Sequence, residues 1–213
     1  MRALLLVCLT LALGGCPFSI YQLDRRPEEQ PLAEPVLINR PGPLHHEAAG
    51  FEFSEQYGSF QRVTAYRYDV EGLHASFGYN DRSDGCLVVA TFYVYPTPRL
   101  TVLGSPPEVV ASAYRTFLER EFERSKQELE RSHPTMHTLE TSDASTPSAG
   151  AALRGTRLRF HEADSASELR LFVYGSPAWF LKYRFTYPEA CAPEAERRLT
   201  ALVAQLPWAT QSP

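Results

Sequence analysis

The chain has 213 residues, 21 basic against 25 acidic, a formal net charge of −4 and 44% hydrophobic residues. The acidic balance, with no sustained basic stripe, speaks against nucleic acid as a partner. The hydrophobic share excludes a chain too polar to build a core, and the roughly 160 residues that follow Phe51 are enough for one.

Arg2 precedes an apolar run from Ala3 to Leu13, broken only by Thr10. The run is shorter than the roughly 20 residues needed to cross hydrocarbon and has the length of a signal-peptide core. It ends in Leu13-Gly14-Gly15-Cys16, which resembles the lipobox of bacterial lipoproteins: a branched apolar residue, two small ones and a cysteine. The resemblance implies diacylglycerol on the Cys16 thiol, cleavage before Cys16 and acylation of the new amine. Two or three acyl chains, at about 0.8 kcal/mol per buried CH₂, hold a protein at a membrane where one chain does not. Pro17 rather than Asp follows, which in enteric lipoproteins goes with sorting to the outer membrane, facing the periplasm. Loss of residues 1–15 removes Cys8 as well, so Cys86 and Cys191 remain beside the lipidated Cys16. In an oxidising compartment they read as one candidate disulfide, the alternative being two separate buried thiols. A bridge would close a loop of about 105 residues, worth about 4–5 kcal/mol on the chain-entropy model.

Residues 16–50 carry Pro17, Pro27, Pro31, Pro35, Pro41 and Pro43. Proline at that density opposes both helix and sheet, so the segment reads as a tether, with His45-His46 as a solvated pair at its end. The domain proper is expected over 51–208, with 209–213 as a tail. Arg62–Val70 alternates with Tyr66, Tyr68 and Val70 on one face. Leu73–Tyr79 alternates again after Glu71-Gly72, predicting a hairpin. Cys86–Tyr95 is apolar on both faces and predicts a central strand. Ser105-Pro106-Pro107-Glu108 has the capping-box spacing and opens a helix with Val110, Ala113, Phe117, Leu118 and Phe122 at helical intervals. Strands are predicted near 135–141, 153–161, 168–174 and 179–187. In the last, Trp179, Leu181, Tyr183, Phe185 and Tyr187 share a face opposite Lys182, Arg184 and Thr186. Pro193-Glu194 opens a closing helix with Leu199, Leu202, Val203 and Leu206. The expectation is an α+β domain: a mostly antiparallel sheet of about six to seven strands, covered by a long central helix and a C-terminal one. That order, with Phe77-Gly78-Tyr79-Asn80 and Thr91–Pro96 in the early strands, resembles PsbP-like α/β/α sandwich domains over about 51–207. The resemblance implies the architecture and carries no ligand residue over.

Catalytic motifs are missing from the sequence. G-x-S-x-G, the P-loop, G-x-G-x-x-G and C-x-x-C do not occur. His133 and His137 have i, i+4 spacing, but Pro134 opposes a helix there and the glutamate of a zinc-protease motif is missing. Carboxylates between Glu119 and Glu130 interleave with arginines as on a solvated helix face. Arg157, Arg159, Arg170, Lys182 and Arg184 alternate on neighbouring predicted strands and form a candidate basic binding face, the alternative being an ordinary wet face balanced by Glu162 and Glu168. The sequence therefore points to a membrane-anchored envelope lipoprotein with a binding or structural role, no catalysis and no cofactor. Its expected partners are the membrane, through the lipid, and an envelope protein. The alternative is a small-ligand carrier or enzyme with a pocket between helix and sheet.

Overall fold

The computed structural model describes residues 22–24, 30–101, 107–144, 155–162, 165–174 and 179–206. In chain order these form β1 (Gln22–Asp24), β2 (Pro31–Leu37), β3 (Leu44–His46), β4 (Phe51–Phe53), β5 (Gln56–Tyr57), β6 (Phe60–Asp69), β7 (Ala75–Asp81), β8 (Val88–Pro96) and β9 (Arg99–Thr101). Then come α1 (Pro107–Ser132), β10 (His137–Ala144), β11 (Gly155–Glu162), β12 (Ser165–Tyr174), β13 (Trp179–Pro188) and α2 (Ala192–Val203). The main sheet has the order β10-β11-β12-β13-β8-β7-β6-β2, with β5 also paired to β6. All of its described pairings are antiparallel. The α+β class and the antiparallel sheet match expectation. The sheet is wider than expected because β2 and β5 join it. Ser105 and Pro106, the expected start of the first helix, lie outside the described residues.

Period-two alternation sorts the side chains. On β13 the buried set is Trp179, Leu181, Tyr183, Phe185 and Tyr187, as the sequence predicts. It packs with Phe92 and Val94 of β8 and Phe77 and Tyr79 of β7 beneath Leu199, Leu202 and Val203 of α2. Each fully buried aromatic contributes about 1.5–3 kcal/mol by area alone. Tyr183 and Phe185 stack at 4.8 Å, and Phe92 meets both edge-on at 6.1 Å. On the opposite face, Phe180 packs with Phe117, Leu118, Phe122 and Leu129 of α1. β8 is the interior strand expected, but only its even-numbered residues are fully buried; Val89, Thr91, Tyr93 and Tyr95 are half-buried.

The tether expectation fails over residues 31–50. β2 pairs with β6 at the edge of the sheet, where proline is tolerated because no neighbour needs its missing N–H. Leu44, Phe51 and Phe53 of the β3–β4 ribbon enter the main core. Gln22–Asp24 also pairs, with β9. Residues 16–21 and 25–29 lie outside the described set.

Arg62 secures this segment. It is 7% exposed, and its guanidinium donates to Asn39 Oδ1, Phe53 O, Ser54 O, Arg40 O and Gly42 O at 2.6–3.2 Å. Five donors meet five acceptors with no carboxylate among them. Arg62→Met leaves all five acceptors without their donor, the Phe53 carbonyl buried and the others partly so; a fully buried unsatisfied carbonyl costs about 1–3 kcal/mol. Chemical denaturation is expected to show a loss of at least about 3 kcal/mol; a loss within 1 kcal/mol would mean that the segment is held by its apolar contacts alone.

His46 also departs from expectation. It is 3% exposed rather than solvated, and its ring meets Trp179 edge-on at 5.1 Å. Ala49 N donates to its Nδ1 at 3.2 Å, so Nε2 carries the proton and donates to Leu73 O at 3.1 Å. Burial lowers its pKa, opposed in part by the Leu73 carbonyl and the Asp69 charge. The unfolded chain therefore takes up this proton at higher pH than the folded one. The stability it contributes is complete above about pH 6.5 and drains away as pH falls from there through the folded value. The stability difference between wild type and His46→Gln should accordingly shrink between pH 7.5 and pH 5.5; a gap that stays constant or widens would contradict the neutral, buried assignment.

Candidate functional site

Two places gather chemistry. The first is the corner where the Asp81–Cys86 loop meets α2. Cys86 and Cys191 form a disulfide, with Cα atoms 6.4 Å apart across a sequence separation of 105. The candidate bridge is thus present, and it ties the start of β8 to the start of α2. Arg198, 6% exposed, reinforces the same corner. It donates to Asp81 Oδ2 at 3.4 Å, Asp84 Oδ2 at 2.9 Å, Glu194 Oε1 at 2.8 Å and the Ser83 carbonyl at 3.1 Å. Asp81 is fully buried. Burial would raise its pKa, but hydrogen bonds from Ser59 and Ser83, with the Arg198 charge, outweigh that and lower it. Glu194 is held at about 2 by hydrogen bonds from Arg197 and Arg198.

An open cleft of about 230 Å³ lies beside this corner, between Tyr57–Phe60, Ser83–Asp84 and one side of α2. It falls below the roughly 300 Å³ at which small-molecule pockets begin. Its charged residues, Asp84, Glu194, Arg197 and Arg198, are already engaged with one another. The α2–sheet interface is filled by Tyr79, Tyr183 and Tyr187, each under 2% exposed.

The second place is the α1 side of the sheet. Here the register overturns the single basic face. Arg157 pairs with Arg170 and Arg170 with Tyr183, and directly paired residues share a face. Arg157, Arg159 and Arg170 therefore occupy the Tyr183 face, with Glu168 opposite Arg159. Lys182 and Arg184 flank Tyr183 along β13 and so occupy the other face. Periodicity assigns alternation within each strand but not the offset between strands.

Lys182 and Arg184 sit among hydroxyls and rings. Lys182 Nζ lies 5.0 Å from the Tyr93 ring centre and 5.7 Å from that of Tyr95, and donates to Ser125 Oγ of α1 at 3.5 Å. Burial lowers its pKa, partly countered by Glu128 and Glu121. Burial also pushes the phenols of Tyr93 and Tyr95 up. Tyr95 donates to Glu121 Oε1 at 2.8 Å, and Tyr68 and Ser76 share a hydrogen bond of 2.8 Å. Arg184 Nη2 lies 3.1 Å from His133 Nε2, which places His133 at the end of α1 in a structural contact. The arrangement suits recognition: aromatic rings, hydroxyls and two cations on a rigid sheet. Cys16 lies outside the described residues. No protein-family model, curated protein or solved structure matches this chain.

Arg198→Met leaves Asp81 buried without its cation and should cost about 3–5 kcal/mol in chemical denaturation. Arg197→Met, which removes only an exposed pair with Glu194, should leave stability nearly unchanged. Equal effects from the two variants would show that the buried corner is not the anchor of the loop.

Proposed function

We propose that this chain is an exported envelope lipoprotein whose domain binds or scaffolds and does not catalyse. In this reading residues 1–15 are a leader, Cys16 carries the lipid, and the domain faces the periplasm from the outer membrane. Its layering is PsbP-like, with α1 as the long helix over one face and α2 over the other. The observation that supports it most is the Cys86–Cys191 bridge. Stable disulfides belong to oxidising compartments, and this one uses both cysteines outside the N-terminal segment. That leaves Cys16, at the lipobox position, as the one thiol of the mature chain available for acylation. The carrier or enzyme reading draws less support, because the α2–sheet interface is filled and the cleft beside it is small and lined by committed ion pairs.

Expression of the full-length chain in a bacterial host with radiolabelled palmitate tests the anchor. Wild type should incorporate label and sediment with membranes, and Cys16→Ser should lose the label and move to the soluble fraction. Unchanged labelling and fractionation of Cys16→Ser would refute the lipid anchor.

A further inference from the structure

The face that carries Lys182 and Arg184 continues across four more strands. Leu37 pairs with Tyr66, Tyr66 with Ser76, Ser76 with Tyr93 and Tyr93 with Lys182. The next row runs Thr64, Gly78, Thr91 and Arg184. Gly78 keeps that row flat, because a Cβ there would collide with Thr64 Oγ1. Tyr66, Tyr68, Thr64, Thr91 and Tyr93 are half-buried, Ser76 and Gly78 between them are buried, and Leu37 is 60% exposed.

Among the described side chains of four of these strands, the formal charges on this face are positive. The positions of β6, β7, β8 and β13 that share it include no Asp or Glu, although the chain has 25 acidic residues. Lys182 and Arg184 are its formal charges, and neither forms an ion pair among the described residues. The α1 carboxylates that face Lys182 are Glu121 and Glu128, and both are bonded to Arg124. Among the described residues, these two carboxylates stand against three cations, Arg124, Lys182 and Arg184.

We propose that this face is a docking surface for an acidic, extended segment of a partner protein. The inference rests on the reading of the chain as a binding module and supplies the chemistry of its partner. Five strands at about 4.8 Å span about 19 Å. Two rows about 7 Å apart across that width cover at most a few hundred Å², short of the roughly 800 Å² that each partner contributes to a standard interface, which fits a segment better than a whole globular surface. Tyr and Arg are the side chains that concentrate binding energy in protein interfaces. Exposed Leu37 at the far end offers apolar contact that a sugar would not use. The cations Lys182 and Arg184 select carboxylates.

The test is an NMR titration of the intact, disulfide-bonded chain with three probes: a synthetic Glu-rich peptide with interspersed Leu, its Lys-for-Glu counterpart, and polygalacturonate. The acidic peptide should give saturable shifts centred on Tyr66, Tyr93 and Arg184, weakened by salt, and the Lys peptide should give none. Tyr66→Ala and Arg184→Gln should each weaken binding roughly tenfold or more. Tyr66 is half-exposed, so its variant keeps the test alive if Arg184→Gln disturbs the fold. Absent shifts, shifts centred elsewhere, or equal binding by the Lys peptide would overturn the proposal. Binding of polygalacturonate in place of the peptide would also overturn it and assign the face to an acidic glycan. Since acyl labelling of Cys16 is scored separately, failure of the docking surface and failure of the lipid anchor are distinguishable.

Discussion

The register that runs unbroken from β11 through β12, β13 and β8 to the middle of β7 is the constraint on which the molecule depends. A strand's side chains change face at every residue, so a slip of one position would put Tyr183 and Phe185 under α1 and Lys182 in the aromatic core. Burial of that aromatic set enforces the register. Once it is fixed, everything on the other face follows, including the row from Leu37 to Lys182. The candidate binding surface is thus the reverse side of the core, set in place by residues that never touch a partner.

How much was legible from sequence depended on whether a signal was local. The alternation of Trp179–Tyr187, the β6–β7 hairpin, the apolar stripe of α1 and the closing helix are short-range patterns, and each appears as an element. The cysteine pair was legible because the chain has four cysteines and two of them stand in the N-terminal segment, leaving one pair to match. The segment 31–50 was not legible, since its prolines describe what a backbone cannot do in a sheet centre and say nothing about an edge. Arg62 had the same fate. A cation inside a strand looks like a solvent-facing residue until five acceptors from residues 39–54 close around it. On β6 the polar-looking set containing Arg62 and Asp69 faces inward, and Tyr66 and Tyr68 are the half-exposed ones. The basic face failed for a related reason: periodicity places residues within a strand, and only pairing places strands against one another.

The corner at Asp81 joins parts of the chain more than 100 residues apart by two different means. The disulfide restricts the unfolded chain, whereas Arg198 satisfies a carboxylate that the folded chain has buried. Acting together, they hold α2 against the sheet from its first turn. This is the helix that covers the core, so the corner protects the aromatic packing on which the register depends. A buried arginine shared by three acids is a structural device here.

Folding of residues 31–50 into the domain also alters what a lipid on Cys16 would mean. A tether running to residue 50 would let the domain range far from the membrane. With Gln22–Asp24 paired to β9, five residues lie between Cys16 and the first strand, six steps along the chain, and a fully extended chain spans at most about 3.3–3.6 Å per residue. On the proposed anchor, the first paired strand therefore lies within about 20 Å of the acylated sulfur. On that same proposal the leash is short, so any partner of the domain is met near the bilayer rather than at the end of a long tether.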